Sequence, residues 1–150
     1  MPDDHEPAST TPSPKTLMAD ISQRLARLRP YLVEPRCAVL TTLDPDGSPH
    51  PAVVHYQLED DALVINGRVD RRWVRNVRRD PRVSVVIHDA DDLLHWVGIK
   101  GATQLLREGA AAVEDAMAIA RRYNEDPAGY RDQERISFRI LPRHVHEYAG

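Results

Sequence analysis

Seven arginines crowd into the fifteen positions 68–82 of the stretch "GRVDRRWVRNVRRDPR" (residues 67–82): Arg68, Arg71, Arg72, Arg75, Arg78, Arg79 and Arg82. Two acids, Asp70 and Asp80, oppose them, which leaves a local charge of +5 in a chain whose net charge is −3, so the remainder carries −8. Guanidinium groups are planar forks that pair with phosphate or carboxylate oxygens two at a time, so the chemistry such a stretch can do is to hold an anion. A general nucleic-acid binder is more often basic overall, and the aromatic platforms that hold single strands are scarce, with 5% aromatic residues. No nucleic acid is therefore expected as partner. A small positive island in an acidic chain suits a compact anion such as a phosphorylated small molecule. A solvated basic helix face is the alternative that composition leaves open.

The element carrying these arginines reads as a helix over 68–79. At 100° per residue, Val69, Trp73, Val74 and Val77 share one side. Six arginines fall on the other within an arc of about 120°, and Asn76 lies at the boundary. The segment "NGRVD" (66–70) joins this helix to a preceding strand. A glycine there permits close backbone approach, and a helix start offers free N–H groups and the positive end of the dipole. Arg68, Arg71 and Arg72 beside that start make a phosphate cradle.

The rest of the chain supplies a barrel. "CAVLTTL" (37–43) and "HPAVVHYQL" (50–58) read as strands joined by the turn "DPDGSP", and "ALVING" (62–67) as a third. "RVSVVIHD" (82–89), "LLHWVGIKGATQLL" (93–106) and "RISFRIL" (135–141) complete six, with "HVHEYA" (144–149) following; Gly98 and Gly101 are candidate bulge or bend sites in the fifth. A helix over 15–29 shows Leu17, Ile21, Leu25 and Leu28 as one stripe, stopped by Pro30; another covers 109–124. Residues 1–14, with four prolines and three acids, read as a disordered tail ahead of one domain over 15–150. Short strands, tight turns and few helices define a mainly β fold, an antiparallel barrel with flanking helices.

No apolar run approaches the roughly 18 residues of a membrane span, and no basic-then-apolar leader opens the chain, so no membrane partner is expected. The lone Cys37 cannot form an internal disulfide, in keeping with a cytoplasmic protein. Seven histidines invite a metal, and His144 and His146 alternate on one strand. No carboxylate or cysteine completes a ligand pattern, and none is expected.

The order "CAVLTTLDPDGSPHPAVVHY … ALVINGRVDRRWVRNVRRDPRVSVVIHD … LHWVGIKGATQLL … RISFRILPRHVH" resembles the flavin and deazaflavin split β-barrel family. This family holds the pyridoxamine 5'-phosphate oxidase-like proteins and the actinobacterial oxidoreductases that use coenzyme F420. The resemblance covers about residues 32–148 and implies a six-stranded, FMN-binding-like split barrel that is homodimeric, with its cofactor in a groove between subunits. It implies that the second strand, with Pro51, Val53, Val54 and His55, lies along the cofactor's ring and ribityl chain. Asn66 and Gly67 then approach its phosphate, Arg71 and Arg72 bind it, and Asn76 braces the helix start. Trp96 falls near the ring edge, contributed by the partner subunit. Where many relatives carry a lysine three residues before that asparagine, this sequence has Trp73.

The activity so implied is hydride transfer from reduced F420 to a small unsaturated organic substrate. FMN, in a pyridoxamine 5'-phosphate oxidase-like reaction, is the alternative cofactor, and a non-catalytic flavin- or haem-binding barrel the alternative role. Arg75, Arg78 and Arg79 extend the positive surface beyond one phosphate, which favours the acidic tail of the deazaflavin. His55 is the candidate proton donor on the cofactor-lining strand.

Overall fold

A computed structural model describes residues 11–150; the first ten residues of the expected tail lie outside it. Helix α1 spans Pro14–Leu32, and the Ser13 side chain caps it by accepting from Thr16 N at 3.2 Å. Then come strands β1 (Cys37–Leu43), β2 (Pro49–Val54), β3 (Tyr56–Glu59) and β4 (Ala62–Arg68), and helix α2 (Arg72–Arg79). Strands β5 (Arg82–His88) and β6 (His95–Glu108), helix α3 (Gly109–Arg122), a 3-10 turn (Pro127–Tyr130) and strand β7 (Arg135–Ala149) follow. No helix among the described residues is long and apolar enough to cross a membrane.

The strands form one antiparallel sheet in the order β2-β1-β5-β6-β7-β4-β3. Six strands were expected and seven are found, because the run 50–58 breaks at His55. Residues 49–54 pair with β1, whereas 56–59 pair with β4 at the far edge of the sheet. One residue thus joins the two edges, and the sheet must curl into a barrel. The expected sixth strand and its C-terminal sequel are one strand, β7, which pairs with both β6 and β4. The register of β6 against β7 slips at Lys100/Gly101, as a glycine bulge does.

Alternation fills the barrel. Ala38, Leu40 and Thr42 of β1, Val83, Val85 and Ile87 of β5, and Ile136, Phe138 and Ile140 of β7 point inward and are buried. Each such aliphatic side chain contributes about 1.5–3 kcal/mol by leaving water. Strand β4 is buried on both faces, with Leu63 and Ile65 inside and Val64 under α3.

Three helix expectations are corrected. Pro30 does not stop α1, which runs on to Leu32. Near the helix end a proline forfeits only one backbone bond, and burial of Tyr31 and Leu32 offsets it. The Tyr31 hydroxyl also donates to Ile87 O at 3.1 Å. Leu17, placed on the buried stripe by its spacing, is exposed, because α1 meets the barrel only from Ile21 onward. Helix α2 begins at Arg72 rather than 68, since Arg68 still pairs with Arg135 in the sheet.

Tyr56 ties the joint between β2 and β3 to the end of α1. Its hydroxyl donates to Leu32 O at 2.8 Å and Glu34 O at 3.0 Å. Burial first, then the neighbouring Tyr123, pushes its pKa up to about 12 from 10.0. A raised folded-state value stabilises the protein fully below pH 10, and that contribution is lost as pH rises through about 12. Tyr56→Phe is expected to cost about 1 kcal/mol at neutral pH, because Arg122 still donates to both carbonyls. It is also expected to flatten the alkaline loss of stability. Urea melts at neutral and alkaline pH measure both; an unchanged alkaline limb would assign that loss to other groups.

Candidate functional site

A cleft of about 710 Å³ opens where the curled sheet parts between β2 and β4. Its walls are the inner side of β2 (His50, Ala52, Val54), the end of β4, the start of α2, one side of α3 and the segment 126–135. Of the residues nominated from sequence, Val53, Val54, His55, Asn66, Gly67, Arg71, Arg72 and Trp73 line it. Pro51, Asn76 and Trp96 do not.

Arg71 is the N-cap of α2, in extended conformation and with no side-chain cap. The first backbone bond of the helix runs from Arg75 N to Arg71 O at 3.1 Å, which leaves the N–H groups of Arg72, Trp73 and Val74 without an intrahelical acceptor. Arg71 is exposed at the cleft and makes no ion pair or side-chain hydrogen bond among the described residues. Arg72 differs: Asp44 engages it through both oxygens, at 2.9 and 2.7 Å. Asp44 is presented by the β1–β2 turn, closed by Asp44 N donating to Ser48 O and by Gly47 at φ 85°. Hydrogen bonds from Asn76 and then Arg72 hold the Asp44 carboxyl below the usual range.

Asn76 is buried behind the cleft. Its amide donates to Thr42 Oγ1 at 3.0 Å and Asp44 Oδ1 at 2.9 Å, and its carbonyl accepts from Arg79 at 2.9 Å. The side chain therefore braces α2 against β1. Gly67 is close-packed for an internal reason: a Cβ there would lie 2.4 Å from Trp73 Cζ2. The indole of Trp73 lies over the β4 backbone and meets Phe138 edge-on with centroids 6.0 Å apart.

The outer arginines do not extend the cleft. Arg78 pairs with Glu108 at 2.9 Å, Arg79 donates to Leu43 O, and Arg75 faces solvent. Besides Arg71 and Arg72, the positive charge that lines it comes from Arg68 and from Arg135, which sequence reasoning passed over as the first residue of a strand. Arg135 donates to Asn66 Oδ1 and Gln133 Oε1, each at 2.8 Å, and sits 5.0 Å from the Tyr130 ring centroid. Only the β4–β7 register, which sets Arg68 opposite Arg135, could have revealed this pairing.

His55 stacks on Tyr123 with centroids 3.9 Å apart and planes 7° from parallel. Its Nδ1 is 3.5 Å from Glu125 Oε1, and Glu125 also accepts from the Tyr130 hydroxyl at 2.9 Å. Trp96 lies elsewhere, half-buried on β6 against His146 and stacked on Tyr148. No cluster of three or more metal-ligating side chains occurs among the described residues.

The chain belongs to the pyridoxamine 5'-phosphate oxidase family, whose sequence profile matches residues 25–149. Solved structures share its fold. A conserved hypothetical protein from Mycobacterium tuberculosis superposes with a TM-score of 0.70 at 23% identity, over 82% of each chain. An F420 reductase gives 0.67 at 18% identity, over 77% of this chain and 92% of that one. The haem storage protein HutZ from Vibrio cholerae gives 0.66 at 17%, over 82% and 93%. Proteins named for F420 and for haem thus share this fold.

Gly67→Ala is expected to destabilise the protein by about 1–3 kcal/mol, the usual cost of forcing a methyl group into a packed site. Urea denaturation measures it, and Trp73 emission should shift at the same time. A neutral substitution would show that the indole is free to move aside.

Proposed function

We propose that the protein is an oxidoreductase that holds F420 in this cleft, its phosphoryl group at the start of α2, and acts on a small unsaturated organic substrate. The observation that carries the reading is the uncapped α2 start, with Arg71 unpaired beside it, opening into a cleft of about 710 Å³. The donors present fit a phosphoryl group: backbone N–H groups at a helix start and the free guanidinium of Arg71, with Arg68, whose Nε lies 3.2 Å from Asp70, on the same wall. When bound, the reduced coenzyme supplies the hydride.

The chain's own residues bind, orient and exclude water. Arg71 and the α2 amides grip the phosphoryl group. Ala52 and Val54 of β2, facing inward, offer the apolar wall along which a ring system lies. His55, fixed by Tyr123 and Glu125, is the candidate proton donor in that wall. Arg72 serves indirectly, because its pairing with Asp44 locks α2 to the hairpin turn. FMN presents a phosphate to the same groups; the cationic surplus from Arg68 and Arg135, together with an F420 reductase among the structural relatives, favours the deazaflavin.

The cleft is open on one side, and the adjoining sheet face is apolar. Register sets Val53, Val39 and Val86 in one row across β2, β1 and β5, with Val53 68% and Val86 40% exposed. Trp96 and Tyr148 continue that face on β6 and β7. A second copy seated there makes the homodimer, and covers the cleft at Val53.

Side-by-side titration with F420 and FMN tests the reading. F420 is expected to bind more tightly, and Arg71→Ala to weaken it by roughly 1.5–3 kcal/mol, the worth of a charge-assisted bond. Arg72→Ala should cost less than about 1 kcal/mol, since Asp44 already holds that charge. Accelerated reoxidation of reduced F420 by an unsaturated acceptor would establish turnover. No binding of either cofactor, or an indifferent Arg71→Ala, would overturn the assignment. Light scattering should show a dimer that Val86→Glu converts to monomer; a wild-type monomer would remove the dimer.

A further inference from the structure

The apolar row on the outward face of the sheet ends in a histidine. Register carries the line of Val53, Val39 and Val86 across Gly98 of β6 to His146 of β7. Gly98 has no side chain, and the imidazole of His146 fills the space above it: a Cβ on Gly98 would lie 2.4 Å from His146 Cε1. Trp96 meets the same ring edge-on, with centroids 5.1 Å apart. The Nδ1 of His146 is buried and has no hydrogen-bond partner. A neutral imidazole so placed completes the row, whereas a protonated one sets a charge in it.

The surroundings offer that charge no carboxylate. Pro51, Thr41, Ser84, Lys100 and His144 form the row on one side, and Cys37, His88, Trp96 and Tyr148 the row on the other. None of the residues in the three rows is acidic, and Lys100 is the one standing charge in them. His144 lies 5.6 Å from His146 between ring centroids and directly opposite Lys100. His88 Nε2 is 3.1 Å from Leu93 O. Beside the rows, Arg82 is held by Asp80, and Asp89 pairs with Arg36. Towards α1, Arg24 donates to Val145 O, Arg27 adds a second cation, and Glu147 is taken up by His95 at 2.8 Å.

We propose that this face makes the homodimer proton-sensitive: the two copies hold together while His144 and His146 are neutral and separate when they are protonated. The inference rests on the homodimer being seated on this face. A twofold interface is isologous, so each charge added to one chain is added to its partner as well. Taking a charged imidazole out of water with no opposite charge to meet it costs far more than taking a neutral one. The separated chains therefore bind more protons than the dimer, and by linkage association weakens as pH falls. Val53 stands both in the row and at the rim of the cleft, so acidification also uncovers the cleft.

Analytical ultracentrifugation of the full chain measures the dimer dissociation constant from about pH 8 to about pH 5, the window in which histidine changes charge. The constant is expected to rise about tenfold or more on acidification. The combined His144→Gln and His146→Gln variant should lose most of that rise. Far-UV circular dichroism should stay native at each pH, because the chains separate folded. Calorimetric dilution in two buffers of different ionisation enthalpy counts protons directly, and dissociation near neutral pH should take them up. If the variant fails to dimerise at about pH 8, the proton count on the wild type decides. A wild-type constant that does not change with pH, or dissociation without proton uptake, would overturn the switch and leave the homodimer standing. A variant as pH-sensitive as wild type would overturn it too, as would acid dissociation accompanied by unfolding. A wild type monomeric at every pH removes the homodimer and the switch together.

Discussion

A single residue, His55, holds together the two edges of the sheet. Strand β2 pairs with β1 at one end of the order and β3 with β4 at the other, yet only His55 separates them. A sheet so tethered cannot lie open. It curls until its edges meet, and they part again beyond the joint because β2 and β4 are not hydrogen-bonded to each other. The cleft is that parting. Its position follows from connectivity, and so does the placing of His55 in its wall. The Tyr56 hydroxyl and the Arg122 guanidinium, both bonded to carbonyls at the end of α1, fasten the joint from behind.

Charge is then sorted by proximity. Several of the acids that make the rest of the chain negative are spent on arginines. Asp44 holds Arg72, Glu108 holds Arg78, and Asp80 holds Arg82 at 2.7 Å, its own carboxyl pulled down to about 2. Behind the cleft, Glu59 and Asp115 hold Arg107. Of the arginines that line the cleft, Arg71, Arg68 and Arg135 are the three that no carboxylate engages through both oxygens. A helix start adds its amides at the same place. The electrostatic pattern therefore selects the site more sharply than the count of arginines does.

The fold was legible where it depends on local pattern. Alternation along residues 37–43, 82–88 and 135–141 marked the strands, and the turn residues around Gly47 marked the hairpin. The amphipathic projection put Trp73, Val74 and Val77 inside. What escaped was set by long-range contacts. The break at His55 comes from pairing with two strands far apart in the sheet, and the run of Pro30 into the last turn of α1 from packing of Tyr31 and Leu32. In the site, Arg71 stood out by its place at a strand-to-helix junction. Arg72 looked equivalent, because its engagement by Asp44 spans 28 positions. Arg135 was invisible for the same reason: its relation to Arg68 exists only in the register of β4 against β7. Gly67 was singled out for close approach to a phosphate; the group of the chain packed against it is the indole of Trp73.

The central claim is the location of the ligand at the start of α2, and amide chemical-shift mapping tests it most directly. On adding F420 to the isotope-labelled protein, the backbone N–H signals of Arg72, Trp73 and Val74 should move furthest, with those of Asn66 and Gly67 beside them. Perturbations gathered instead around Trp96, His146 and Tyr148, with the α2 amides still, would place the ligand on the opposite face and contradict the account.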